Sequence, residues 1–241
     1  MTTVLLIPGL TSDDHVWTAT RDKLTAAGHQ VAIGDVRTQD TITKMAQSLL
    51  QDHEGDLVVI GHSMGGRVAM EMARHAPARI TALGLLNTGM HPLKDGELPK
   101  REANIALANT QGMEALATQW IPGMMAQGLP ADPEVVQGLR DMVMRMTPDI
   151  HERQLRALIA RPDAALSIGA YEGPMLLMTG RQDQFSPISQ HEDIRSLCPQ
   201  AELHIIENAG HFAPVEQPAS VAAILTDWVT GLHHIRRQEA S

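Results

Sequence analysis

"DLVVIGHSMGGRVAM", residues 56–70, carries an apolar run straight into a serine flanked by glycines. The spacing predicts a strand over 57–60 and a helix over 65–75 that stops before Pro77. Gly61, Gly65 and Gly66 gather where the strand must become the helix, although glycine weakens both. A sharp, uncrowded turn accounts for that cost. Strand, G-x-S-x-G and helix in this order make a nucleophile elbow. The turn lifts the Ser63 hydroxyl off the carboxyl edge of a sheet, and the helix N-terminus aims its unpaired N–H groups at the reacting centre.

Outward from the elbow, short apolar runs alternate with helical patterns. Strands are expected over 4–7, 30–33, 57–60 and 80–86, with helices over 15–27, 41–52 and 65–75. The second helix repeats apolar residues at Ile42, Met45, Ala46, Leu49 and Leu50, which form one face. Strands separated by helices imply right-handed crossovers and a mostly parallel sheet. From about 91 to 170 the strand signal vanishes and proline-punctuated helical patterns take over. It returns over 175–179 and 202–206, followed by a helix over about 218–232 and a tail expected to fray. The reading is an α/β core, residues 1–90 and 171–241, with a helical cap of residues 91–170 inserted in it.

Composition excludes several classes of function. The 241 residues are 43% hydrophobic and 20% charged, ordinary for a globular protein, with a formal charge of −9. That balance offers no surface for nucleic acid or anionic lipid. "MTTVLLIPGL" has no basic lead and is broken at Pro8-Gly9, so it reads as a buried strand rather than a signal or membrane segment. The single cysteine, Cys198, cannot pair within the chain, and a cytoplasmic protein is expected. No H-E-x-x-H, Cys/His cluster or phosphate-cradling loop occurs, so neither a metal nor a cofactor is implied.

A serine needs a base, and the base needs an orienting group. Of the 12 histidines, His75, His151 and His191 fall in helices read as surface helices, His204 in a strand, and His233 and His234 in the tail. His211 differs, because "ENAGHFAPVEQP" follows the last strand directly and leaves the sheet at the same edge as Ser63. Asp183, in "MLLMTGRQDQFSP", leaves the strand before it with Gly180 allowing the turn. The rival position for an acid, at the end of strand 80–86, holds Asn87, which carries no charge.

At these stretches the chain resembles the α/β-hydrolase superfamily over nearly its whole length. "GHSMGG" is similar to its elbow, "TGRQDQFSP" to its acid loop and "NAGHFAPVEQP" to its histidine loop. "LLIPGLTSDDHVW" is similar to the first strand and oxyanion loop, with Pro8 where many members carry histidine before glycine. The resemblance implies that the backbone N–H groups of Leu10 and Met64 form the oxyanion hole.

The cap is where substrate choice is expected to reside. Met113, Met124, Met125, Met142, Met144 and Met146 crowd it, either filling core gaps or forming an adaptable apolar roof. Trp120, Met124 and Met142 are the candidates to touch substrate. Arg140, Arg145, Arg153 and Arg156 are expected in solvent; one turned inward would make an acidic substrate plausible. The function expected is hydrolysis of a small carboxylic ester or lactone through an acyl-enzyme on Ser63. Two rivals stand beside it: carbon–carbon bond hydrolysis or lyase chemistry on the same residues, and a slowly turning-over ligand sensor.

Overall fold

The computed structural model describes residues 2–239, with side chains through Leu232. Six strands form one parallel sheet: β1 (Thr3–Ile7), β2 (Gln30–Ile33), β3 (Leu57–His62), β4 (Ile80–Leu86), β5 (Met175–Gly180) and β6 (Glu202–Ile206), in the order β2-β1-β3-β4-β5-β6. Every residue of β3 and β5 is buried, because helices cover both faces of the middle of the sheet. The edge strands β2 and β6 are only partly buried, and their sequences mix polar and apolar residues accordingly.

Helices return the chain between strands: α1 (Thr18–Ala26), after a 3₁₀ turn at Asp14–Trp17, then α2 (Ile42–Asp52) and α3 (Met64–His75). Thr41 caps α2 by accepting from the Lys44 N–H at 3.0 Å. Between β4 and β5 lie only helices: α4 (Glu97–Met124), α5 (Pro133–Met144), α6 (Pro148–Ile159) and the short α7 (Ala165–Ile168). Proline opens both α5 and α6, behind Asp132 and Thr147 caps. The chain ends through α8 (Ile188–Leu197), α9 (Ala213–Glu216) and α10 (Pro218–Glu239). The tail expected to fray is helical backbone to Glu239; the side chains of 233–239 lie outside the described residues.

Strand order reverses between β1 and β3, and this topology positions the site. Chains leaving two adjacent parallel strands in opposite directions open a crevice at their carboxyl ends. Residues after β1 (Pro8 to Thr11) and after β3 (Ser63) share that crevice. The loops after β4 and β5 and the one after β6 bring Asn87, Asp183 and His211 to the same edge.

Candidate active site

Ser63 sits at φ 55°, ψ −113°, a conformation a non-glycine residue holds only when its surroundings impose it. Three hydrogen bonds impose it here: Ser63 N–H to the Leu86 carbonyl (2.8 Å), and the Thr88 hydroxyl (2.7 Å) and Gly66 N–H (3.1 Å) to the Ser63 carbonyl. The neighbouring glycines have a steric reason. A Cβ on Gly61 would collide with the Gly65 carbonyl, and one on Gly65 with the carbonyls of Ile7 and Pro8. The elbow therefore packs backbone on backbone between β1 and α3.

The Ser63 Oγ lies 2.8 Å from His211 Nε2, and His211 Nδ1 lies 2.9 Å from Asp183 Oδ2. The carboxylate keeps the ring proton on Nδ1, so Nε2 is the nitrogen that accepts from the serine. Asp183 is buried; its Oδ1 accepts from the Phe185 and Ser186 N–H groups at 2.8 and 2.9 Å. Burial opposes its charge. The opposing pull of His211 and these donors outweighs burial and holds the carboxyl well below the usual carboxylate range.

Asn87 stands at the end of β4, at φ 48°. Its amide donates to Asp183 Oδ2 (2.9 Å) and to the Gly210 carbonyl (3.1 Å), so it pins the acid to the histidine loop. The position considered for an acid thus holds a donor to the acid. His62 is another residue the sequence did not single out. Its Nε2 donates to the His211 carbonyl at 2.7 Å and its ring stacks on Phe212. Burial, then repulsion from His211, pulls its pKa down to about 3, so it stays neutral.

Leu10 and Met64 both line the pocket above Ser63, and among the described residues neither N–H donates to a protein acceptor. The loop carrying Leu10 is bolted to α6: Thr11 N–H donates to Gln154 Oε1 (2.7 Å), and Thr11 Oγ1 meets His151 Nδ1 (2.6 Å). The end of α4 is fastened to the histidine loop in a similar way. His211 N–H donates to the Met124 carbonyl (2.7 Å), while Glu216 accepts from Gly210 and Ala126 N–H groups at 2.9 and 2.8 Å.

A pocket of about 410 Å³ opens over the serine. Trp120 and Met124 line it, together with Leu155, Leu158 and Phe212. Met142 does not. It is fully buried in α5, a helix that packs against α4, and is absent from the pocket wall, so it fills core instead. His151 and His191, expected on surface helices, are also fully buried, each with a ring nitrogen on a protein partner. Cys198 is buried, its thiol near the Ile168 carbonyl. Among the described residues no cluster of three or more His, Cys, Asp or Glu is placed to hold a metal, and no helix is long and apolar enough to cross a membrane.

A doubly wound parallel sheet with a strained serine on a strand–helix elbow, met by histidine and aspartate from later loops, defines a class of α/β protein. Within that class the chain belongs to the α/β-hydrolase family, whose model matches residues 4–224. The sn-1-specific diacylglycerol lipase ABHD11 of Mus musculus is 25% identical over 186 residues, 71% of this chain and 58% of that one. A 2-succinyl-6-hydroxy-2,4-cyclohexadiene-1-carboxylate synthase of an Enterobacter species is 28% identical over 69% of this chain and 64% of its own. The matched stretch thus spans less than two thirds of either relative's length. A thermophilic esterase from Thermogutta terrifontis superposes with a TM-score of 0.87 at 26% identity, covering 97% of this chain and 91% of that structure.

Proposed function

We propose that the protein is a serine hydrolase of small carboxylic esters or lactones. One observation carries the reading: His211 Nε2 stands 2.8 Å from Ser63 Oγ while Asp183 occupies its other ring nitrogen. As Ser63 Oγ bonds to the substrate carbonyl carbon, its proton moves to Nε2 and Asp183 stabilises the imidazolium. The carbonyl oxygen becomes an oxyanion, which the Leu10 and Met64 N–H groups receive. Collapse breaks the bond to the leaving alcohol, which takes the proton from Nε2. Water then attacks the acyl-enzyme, gives its proton to His211 and releases the acid; that proton returns to Ser63. The helical block α4–α7 acts as the cap that shapes the acyl pocket, through Trp120 and Met124. The Thr11 contacts hold α6 against the oxyanion loop, and the Glu216 contacts hold the end of α4 against the histidine loop. Turnover of a panel of p-nitrophenyl esters and lactones tests the proposal. Ser63→Ala should lower the rate on the best substrate by roughly 10³ to 10⁶-fold with the fold intact. A variant retaining wild-type rates would refute it.

A further inference from the structure

We propose that Arg67, backed by Arg161 and Arg101, is a carboxylate-binding subsite in the Ser63 pocket, so that the preferred esters or lactones carry a free carboxylate. The proposal rests on the hydrolase reading and names its substrate class.

The chain as a whole carries −9, yet the charged side chains lining this pocket are Arg67, Lys94, Lys100, Arg101 and Arg161 against a single carboxylate, Glu97. Glu97 is already committed: it pairs with Arg101 at 3.0 Å and with Arg161 at 2.9 Å. Among the described residues no carboxylate forms an ion pair with Arg67. Among the described residues its guanidinium makes one hydrogen bond to protein, from Nη1 to the His91 carbonyl at 2.8 Å. The same carbonyl oxygen accepts from Arg161 Nε at 3.1 Å. Two like-charged groups therefore converge on one neutral oxygen, and of the two only Arg161 has a carboxylate partner, Glu97.

The two arginines are not equivalent. Arg161 is nearly fully buried and spends its donors on the His91, Leu158 and Pro92 carbonyls and on Glu97, so it is a fixed source of positive field. Arg67 keeps most of its five donors for the pocket. Securing the loop after β4 does not require it, because Arg161 already satisfies the His91 carbonyl. Burial, then repulsion from Arg161 and Arg101, outweighs the attraction of Glu97 and Asp163 and pulls the Arg67 pKa down to about 9. A planar carboxylate is the anion a guanidinium fork fits bidentately. Arg67 also follows Ser63 by four residues, about one helical turn along α3. A carboxylate held there is a short chain away from the scissile carbonyl.

The test compares kcat/KM for monomethyl adipate with that for methyl hexanoate, similar in reach but uncharged, in the wild type, Arg67→Met and Arg67→Lys. The wild type should favour the acid ester. Arg67→Met should lower the acid-to-neutral ratio at least ~10-fold, mainly through KM, and Arg67→Lys should restore part of it. Thermal shifts on Ser63→Ala supply a readout free of turnover: adipate should raise Tm, and Arg67→Met in that background should abolish the rise. A wild-type ratio at or below one overturns the subsite, and so does a ratio unchanged by Arg67→Met. Stabilisation by inorganic phosphate but not by adipate overturns the carboxylate assignment. If Arg67→Met does not fold, the wild-type ratio and Arg67→Lys decide between these outcomes. Ser63-dependent hydrolysis without acid preference sinks only the subsite. Hydrolysis of neither ester counts against the hydrolase reading, and the adipate shift then judges the subsite separately.

Discussion

Lowering the pH from 7 to 5 should cost this protein a large part of its stability, through three histidines that fold neutral. His62, His151 and His191 are fully or almost fully buried. Burial pulls their pKa values down to about 3, 4 and 4, from 6.5 in an exposed chain, with repulsion from His211 adding to the shifts of His62 and His191. Below 6.5 the unfolded chain takes up protons at all three, while the folded protein takes up none until pH 4 is approached. The unfolded state binds more protons, so stability falls as pH falls. Each histidine contributes about 1.4 kcal/mol per pH unit once well below 6.5, hence about 2 kcal/mol at pH 5. Together they remove on the order of 5 kcal/mol, against a total of roughly 5–15 for a typical domain. Glu97 does not enter this window. Its pairing with Arg161 and Arg101 outweighs burial and lowers its pKa from 4.5 to about 2, so its contribution is lost only as pH falls from 4.5 toward 2. Glu216, raised by burial, offsets a small part. Urea unfolding followed by circular dichroism at both pH values measures the effect. His191→Gln, which keeps an acceptor for the Thr88 N–H, should reduce the pH-induced loss by about a third. Equal stability at pH 7 and 5, or a full loss retained in the variant, would refute the reasoning.

Further outcomes follow from the geometry of the site. Asp183→Asn should reduce kcat by up to about 10⁴, since it removes the charge that holds the His211 tautomer. Asn87→Ala, which loses two hydrogen bonds but no charge, should cost roughly 10–100-fold in kcat/KM; the reverse order would show that the roles are misassigned. Gly65→Ala should destabilise by about 3 kcal/mol, because its Cβ meets the Ile7 and Pro8 carbonyls rather than a side chain able to move; a Tm within a degree or two of wild type would contradict the packing. Trp120→Ala should raise KM for the best ester more than it lowers kcat, as Trp120 lines the pocket and abuts Phe212; an unchanged KM would remove it from the pocket wall.

Local physics was legible in the chain. Buried parallel strands must be apolar along their whole length, and every expected strand lies within two residues of its observed limits; β3, for example, extends from the expected 57–60 to His62. The elbow was legible because backbone packing admits only glycine at 61 and 65. That Ser63, Asp183 and His211 would meet was legible because chain topology alone delivers the ends of parallel strands to one edge. What only the tertiary structure decided were pairings between residues far apart in the chain, set by how loops meet at the sheet edge and how the helical block docks on the sheet. Asn87 reaches Asp183, His151 and Gln154 grip Thr11, and Glu216 joins Gly210 to Ala126, none of which periodicity encodes. An amphipathic helix declares that it has an apolar face but not which neighbour covers it. That is why Met124 came to line the pocket and Met142 the core. For the same reason the arginines expected in solvent do not line the pocket, while Arg67, Arg101 and Arg161 converge on it from three separate stretches of chain. Charge at a single position is written in the sequence; the field made by several charges exists only once the fold brings them together.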